Sequence, residues 1–145
     1  MTAVAVTVST AGAILAGCVD ARTGRIPNVI SRGTAIAAIV LAAQTGEVTS
    51  ALWGTVLAGG ALFALYALTF GSGIGLGDVK LAAAIGAGLG AYTGALALGA
   101  AFVLGGAYGA WLMLMRGARR TDAIRFGPFL AAGTVLAGAA AIVLR

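Results

Sequence analysis

The chain has 145 residues, 61% of them hydrophobic and only 9% charged, with a mean hydropathy of +1.06. Too few polar residues are present to cover a water-facing surface, which excludes a soluble globular domain. The net charge of +5 comes with no histidine and one cysteine, Cys18. This excludes His-based nucleophilic triads, His-ligated zinc, paired-cysteine metal sites and an internal disulfide.

The charges leave long gaps: residues 1–19, 33–46, 48–77, 81–115 and 126–144 carry none. A helix needs about 20 mostly apolar residues to cross a hydrocarbon core of roughly 30 Å. The first helix is predicted over residues 3–19. No Lys or Arg follows Met1, so the basic region of a cleaved secretory signal is missing. Gly24 breaks a helix and Pro27 suits the first turn of the next, predicted over 28–44. Gln44-Thr-Gly46-Glu47 forms a turn, and a third helix runs from 50 to 70. A glycine-rich stretch, residues 71–77, leads to Asp78.

As a single helix the uncharged run 81–115 would be about 50 Å long, too long for one ordinary crossing. A break near residues 88–94 divides it into two helices, the first short, at 79–90. The last helix is predicted over 127–144. The expected fold is an all-α polytopic membrane protein. It is a single domain over residues 1–145, a bundle of about six transmembrane helices with the fourth short, or five crossings if that helix is only re-entrant.

The six-helix reading puts Arg22, Arg25, Arg32, Lys80, Arg116, Arg119, Arg120 and Arg125 on one side, eight of the nine basic residues. Only Arg145 and the acidic Glu47 fall on the other. Cytoplasmic loops carry the excess of Lys and Arg, so both termini are expected outside. The charge is then a topology signal, with attraction to anionic membrane lipid as a side effect and no nucleic-acid partner. Trp53 and Tyr92 fall near the outer interface, Cys18 is expected to be a small buried hydrophobe, and closely spaced glycines such as Gly86, Gly90 and Gly94 suit tight helix packing in lipid.

Of the four acids, Glu47 and Asp122 read as solvated loop residues. Asp20 and Asp78 differ, because each lies where an apolar helix meets a basic loop and both fall on one face of the membrane. Taken singly, each only marks a helix end. Brought together, two carboxylates cannot both ionise easily and share a proton. Such a pair can activate water with its base form and protonate a carbonyl or leaving amine with its acid form. Peptide hydrolysis by that route needs no His, Ser, Cys or metal.

The segment Asp20-Ala-Arg22-Thr-Gly-Arg25-Ile26-Pro27-Asn28 resembles the first active-site motif of the type IV prepilin peptidases. Gly75-Leu-Gly77-Asp78-Val-Lys80-Leu81 is similar to their second, the Gly-x-Gly-Asp motif of a wider class of intramembrane aspartyl proteases. Phe126-Gly127-Pro128-Phe129 resembles a third family feature. The resemblance covers essentially the whole chain, in order and spacing, and points to the minimal forms that serve tight-adherence pili or archaeal preflagellins. It implies an endopeptidase of the cytoplasmic membrane that removes the basic leader of a prepilin-like substrate, whose hydrophobic helix stays in the membrane. By position, Asp20 and Asp78 would be the catalytic pair, and Gly75 and Gly77 would shape the loop presenting Asp78. Larger members carry a zinc-binding cytoplasmic insert with paired cysteines and methylate the new amino terminus. This chain has only Cys18, so peptidase activity without methyl transfer, and without metal or cofactor, is expected.

Lys80 either orients Asp78, contacts substrate or simply flanks a helix as a positive-inside residue. Arg22 and Arg25 read as topology determinants that also lie close enough to tune Asp20. Pro27 and Asn28 start a helix, with a supporting role from their place in the motif, and Phe126 and Pro128 set the course of the last helix. The rival reading, a small proton-coupled transporter, would also use intramembrane acids, but Asp20 and Asp78 have dissimilar flanks and no inverted repeat relates the halves. Nucleotide binding fails, since residues 71–77 never complete Gly-x-Gly-x-x-Gly and no Gly-Lys-Ser/Thr occurs.

Overall fold

A computed structural model describes residues 2–70, 74–116 and 124–143. The readings of Asp122 as a loop residue, of Arg119, Arg120 and Arg145 as topology markers, and of residues 71–73 as part of the glycine-rich stretch lie outside them. Five helices follow in order: α1 (Ala3–Thr23), α2 (Asn28–Gln44), α3 (Val48–Leu68), α4 (Leu76–Arg116) and α5 (Gly127–Val143).

The first helix begins at Thr2, whose hydroxyl accepts the Ala5 N–H at 3.3 Å, an ordinary N-cap. It ends at Thr23 rather than at 19, because Ala21, Arg22 and Thr23 are compatible with helix and nothing before Gly24 stops it. Gly24 does so at φ 69°, where a side chain would be strained, and its N–H bonds the Asp20 carbonyl at 2.8 Å. Asp20 therefore lies in the last turn of α1, not beyond it. Pro27 stands just before α2 rather than in its first turn, and its carbonyl accepts the Ile30 N–H at 3.1 Å. Glu47 is half-buried at the start of α3, and Cys18 is exposed on α1 rather than buried.

The 41-residue α4 is one helix only in name. Gly90 has φ 78° and ψ 178°, outside any helical conformation and open essentially to glycine alone. A Cβ placed on Gly94 would lie 3.1 Å from the Cα of Gly86. Eight residues apart in a straight helix, those positions would be about 12 Å apart. The chain thus doubles back at Gly90, and the arms 76–89 and 91–116 pack on one another. The predicted break falls at that glycine. Among the described residues the helices number five with α4 taken as one, its two arms being joined at Gly90 without an intervening loop.

Small residues make up much of the interior, around a few buried leucines such as Leu62, Leu81 and Leu130, and many large apolar side chains face out. Ala13, Ala16, Ala38, Ala84 and Ala101 are fully buried, whereas Leu15, Ile36, Val103 and Leu114 are 60 to 81% exposed. A water-soluble bundle would reverse that arrangement; in lipid, outward apolar side chains cost nothing and small residues let backbones meet. Gly54 of α3 and Gly86 of α4 lie backbone to backbone, and Gly12 of α1 faces Thr34 of α2. By length and composition α1, α3 and α4 can cross a membrane, while α2 and α5, of 17 residues each, fall at the short end of the spanning range.

One end of the bundle gathers the last turn of α1 and the starts of α2, α4 and α5. The contacts that bring them together are Gly127 to Asp20, Lys80 to Asn28 and Arg125 to Ala21. At the other end Val6, Ser50, Tyr92 and Ala141 line a common cavity beside the Gly90 reversal. Arg25, Lys80 and Arg125 lie at the end that holds the aspartates.

Candidate active site

Asp20 continues the buried stripe Ser9, Gly12, Ala13, Ala16 and Gly17, whose three- and four-residue spacing points one face of α1 inward. Its side chain is only 6% exposed. Oδ2 accepts the Gly127 N–H at 3.2 Å, a donor left without an intrahelical partner at the first residue of α5.

Asp78 is the third residue of α4, and its Oδ2 accepts the Gly75 N–H at 3.1 Å. That is half of a capping box, in which an acid reaches back to the residue before the helix. The cap explains the position of the carboxylate but involves only one of its oxygens. Asp78 is half-buried, and it faces the same cavity as Asp20. This cavity, about 290 Å³, is lined by Asp20, Gly24, Arg25, Ile26, Gly75, Gly77 and Asp78. It has room for several water molecules at about 30 Å³ each.

The two glycines before Asp78 act differently. A Cβ on Gly77 would lie 3.2 Å from the Cβ of Ile26, tighter than ordinary contact, so glycine here lets the start of α4 pass the α1–α2 loop. A Cβ on Gly75 would meet nothing closer than 3.5 Å, and that residue contributes its N–H rather than space. Beyond the cavity Lys80 Nζ donates to Asn28 Oδ1 at 2.9 Å, tying the starts of α2 and α4 across 52 positions of sequence. Two carboxylates facing one cavity from separate helices, α1 and α4, can divide the work of general base and general acid.

The sequence model of the type IV leader peptidase family matches residues 7–110, a stretch holding both aspartates, Gly75, Gly77 and Lys80. The chain belongs to the type IV leader peptidase family. No curated protein and no solved structure matches it. Membership of a peptidase family, together with long apolar helices whose large side chains face outward, makes it a membrane protein.

In this leader peptidase the cavity brings together four of the residues singled out from sequence: Asp20, Gly75, Gly77 and Asp78. Lys80 and Asn28 pair beside it. Pro27 shapes the start of α2 from outside, and Arg22 is exposed on the last turn of α1, off the cavity wall. Arg25 and Ile26 do line it, Arg25 having read as a topology determinant close enough to tune Asp20. Gly127 was missed as a site residue, though its place in the third motif could have flagged it. A larger groove of about 400 Å³, lined by Ala21, Tyr108, Ile124, Arg125 and Phe129 among others, has no carboxylate among its described lining residues. Among the described residues no group of three or more His, Cys, Asp and Glu side chains could hold a metal ion.

Proposed function

We propose that this leader peptidase is an aspartyl endopeptidase that cleaves the basic leader from type IV prepilin-like proteins at the cytoplasmic face of the membrane. The observation that carries this reading is the single cavity faced by Asp20 and Asp78 within the family-matched segment. One carboxylate, ionised, takes a proton from water as the oxygen attacks the scissile carbonyl; the other, protonated, donates to the carbonyl oxygen. As the tetrahedral intermediate collapses and its C–N bond breaks, the first carboxyl passes its proton to the leaving amine. A hydroxyl of the intermediate returns a proton to the second carboxylate, so one ionised and one protonated group stand ready again.

The six-crossing topology belongs to the same reading, with arms 76–89 and 91–116 as separate crossings. The basic loops then lie in the cytoplasm, both termini outside, and the aspartates at the inner surface. A substrate with a basic leader and an apolar helix suits that site. Its helix would remain in the bilayer while the leader crosses the cavity mouth.

The test is cleavage of a prepilin-like substrate by the purified protein in detergent. Asp20→Asn and Asp78→Asn should each abolish cleavage while leaving expression and membrane insertion intact, and EDTA should leave the wild-type rate unchanged. Near wild-type cleavage by either variant overturns the dyad, and loss of activity with EDTA overturns the metal-free mechanism.

A further inference from the structure

We propose that residues 125–127 form a clasp that positions Asp20 for the reaction, with Gly127 as its seat and Arg125 as its strap. The inference rests on the dyad reading above. Three observations converge on it.

The first is steric. A Cβ on Gly127 would lie 2.6 Å from Asp20 Oδ2, 2.9 Å from its Cβ and 3.0 Å from its Cγ. Even the smallest side chain would have to displace the carboxylate, so the absent Cβ of Gly127 is the space that Asp20 occupies. The second is directional: the Gly127 N–H donates to Oδ2 at 3.2 Å, which fixes the rotation of the carboxylate as well as its location. The third is the neighbouring strap. The Arg125 guanidinium donates to the Ala21 carbonyl, one of the acceptors left open at the end of α1, and lies against Gly24. Residues 20 and 21 are thus held by residues 127 and 125.

The clasp is itself anchored. The Phe126 ring packs on Phe102 of the second α4 arm with centroids 5.1 Å apart. At Gly17 the backbones of α1 and α5 come close, since a Cβ there would lie 3.1 Å from the Gly127 carbonyl oxygen. Pro128, lacking an N–H, leaves the Gly127 donor beside Asp20 without a competitor from the next residue. Residues 125–127 lie beyond the family-matched stretch 7–110, so the match alone does not assign them.

Misplacing a reacting group by about 1 Å can cost roughly a hundredfold in rate. In detergent, Gly127→Ala should lower kcat about a hundredfold with KM within twofold of wild type. Arg125→Gln, on an exposed side chain, should lower kcat several-fold at unchanged KM, and Arg125→Lys should restore most of it. Gly133→Ala is the control: on the same helix it meets the Ala97 carbonyl, far from the aspartates, and should lower Tm while the folded fraction keeps its kcat. Activity of Gly127→Ala within twofold of wild type, beside an inactive Asp20→Asn, overturns the clasp and leaves the peptidase reading standing. Loss that merely tracks the folded fraction in Gly127→Ala, as in Gly133→Ala, also overturns it. If Gly127→Ala does not fold, the Arg125 pair decides, a rise in KM counting against the clasp. An active Asp20→Asn removes the dyad and the clasp together.

Discussion

Lys80 and Asn28 show what a single polar contact can do at the end of a bundle. Their hydrogen bond ties the start of α4, which carries Asp78, to the start of α2, so its loss should loosen the dyad without removing it. Both residues are exposed, and an exposed charged contact is worth about 1 kcal/mol or less. Lys80→Met and Asn28→Ala should each lower the cleavage rate by about fivefold or less, and the double variant should do no worse than the weaker single. Additive losses in that double-mutant cycle would mean that the two side chains act independently. Asp20 and Asp78 were visible in sequence as acids beside apolar runs. Invisible were their anchors, the N–H groups of Gly127 and Gly75, because backbone donors leave no mark in composition.

At the scale of the helix, glycine has three uses here, which a sequence writes with one letter. Gly90 supplies a conformation closed to other residues, Gly86 permits a close crossing, and Gly60 has no atom within 4 Å of where a Cβ would stand. Gly90→Ala should destabilise the fold by about 1–3 kcal/mol from backbone strain alone. Gly86→Val, driven into the Gly54 backbone, should cost at least as much through overpacking. Gly60→Ala should raise Tm slightly, since alanine is the better helix former and nothing obstructs it. Thermal melts in one detergent rank the three, and equal effects would contradict the separate roles. The break in the long apolar run was legible from length alone, near residues 88–94. Its placement at Gly90, without a connecting loop, depended on which glycine had to leave helical space for the arms to pack.

For the whole molecule, the position of Arg25, Lys80 and Arg125 at one end of the bundle makes sidedness measurable. In a Cys18→Ala background, Thr23→Cys should react with a membrane-impermeant maleimide only in inverted vesicles, and Thr45→Cys only in intact cells. Both positions are exposed; Thr23 ends α1, shortly before α2 begins, and Thr45 follows the last residue of α2. Labelling of both from one side would refute the cytoplasmic placement of the aspartates. The residue pattern by itself determined that the chain is helical and that lipid is its solvent. Hydropathy and charge act on every residue independently of its neighbours in space, so these properties can be read along the chain. Only the tertiary structure decided that Asp20 lies within α1 and not after it, that Arg25 lines the cavity while Arg22 does not, and that Gly127 seats a carboxylate 107 positions away. Those outcomes depend on how closely two backbones approach, which packing sets through all the helices together.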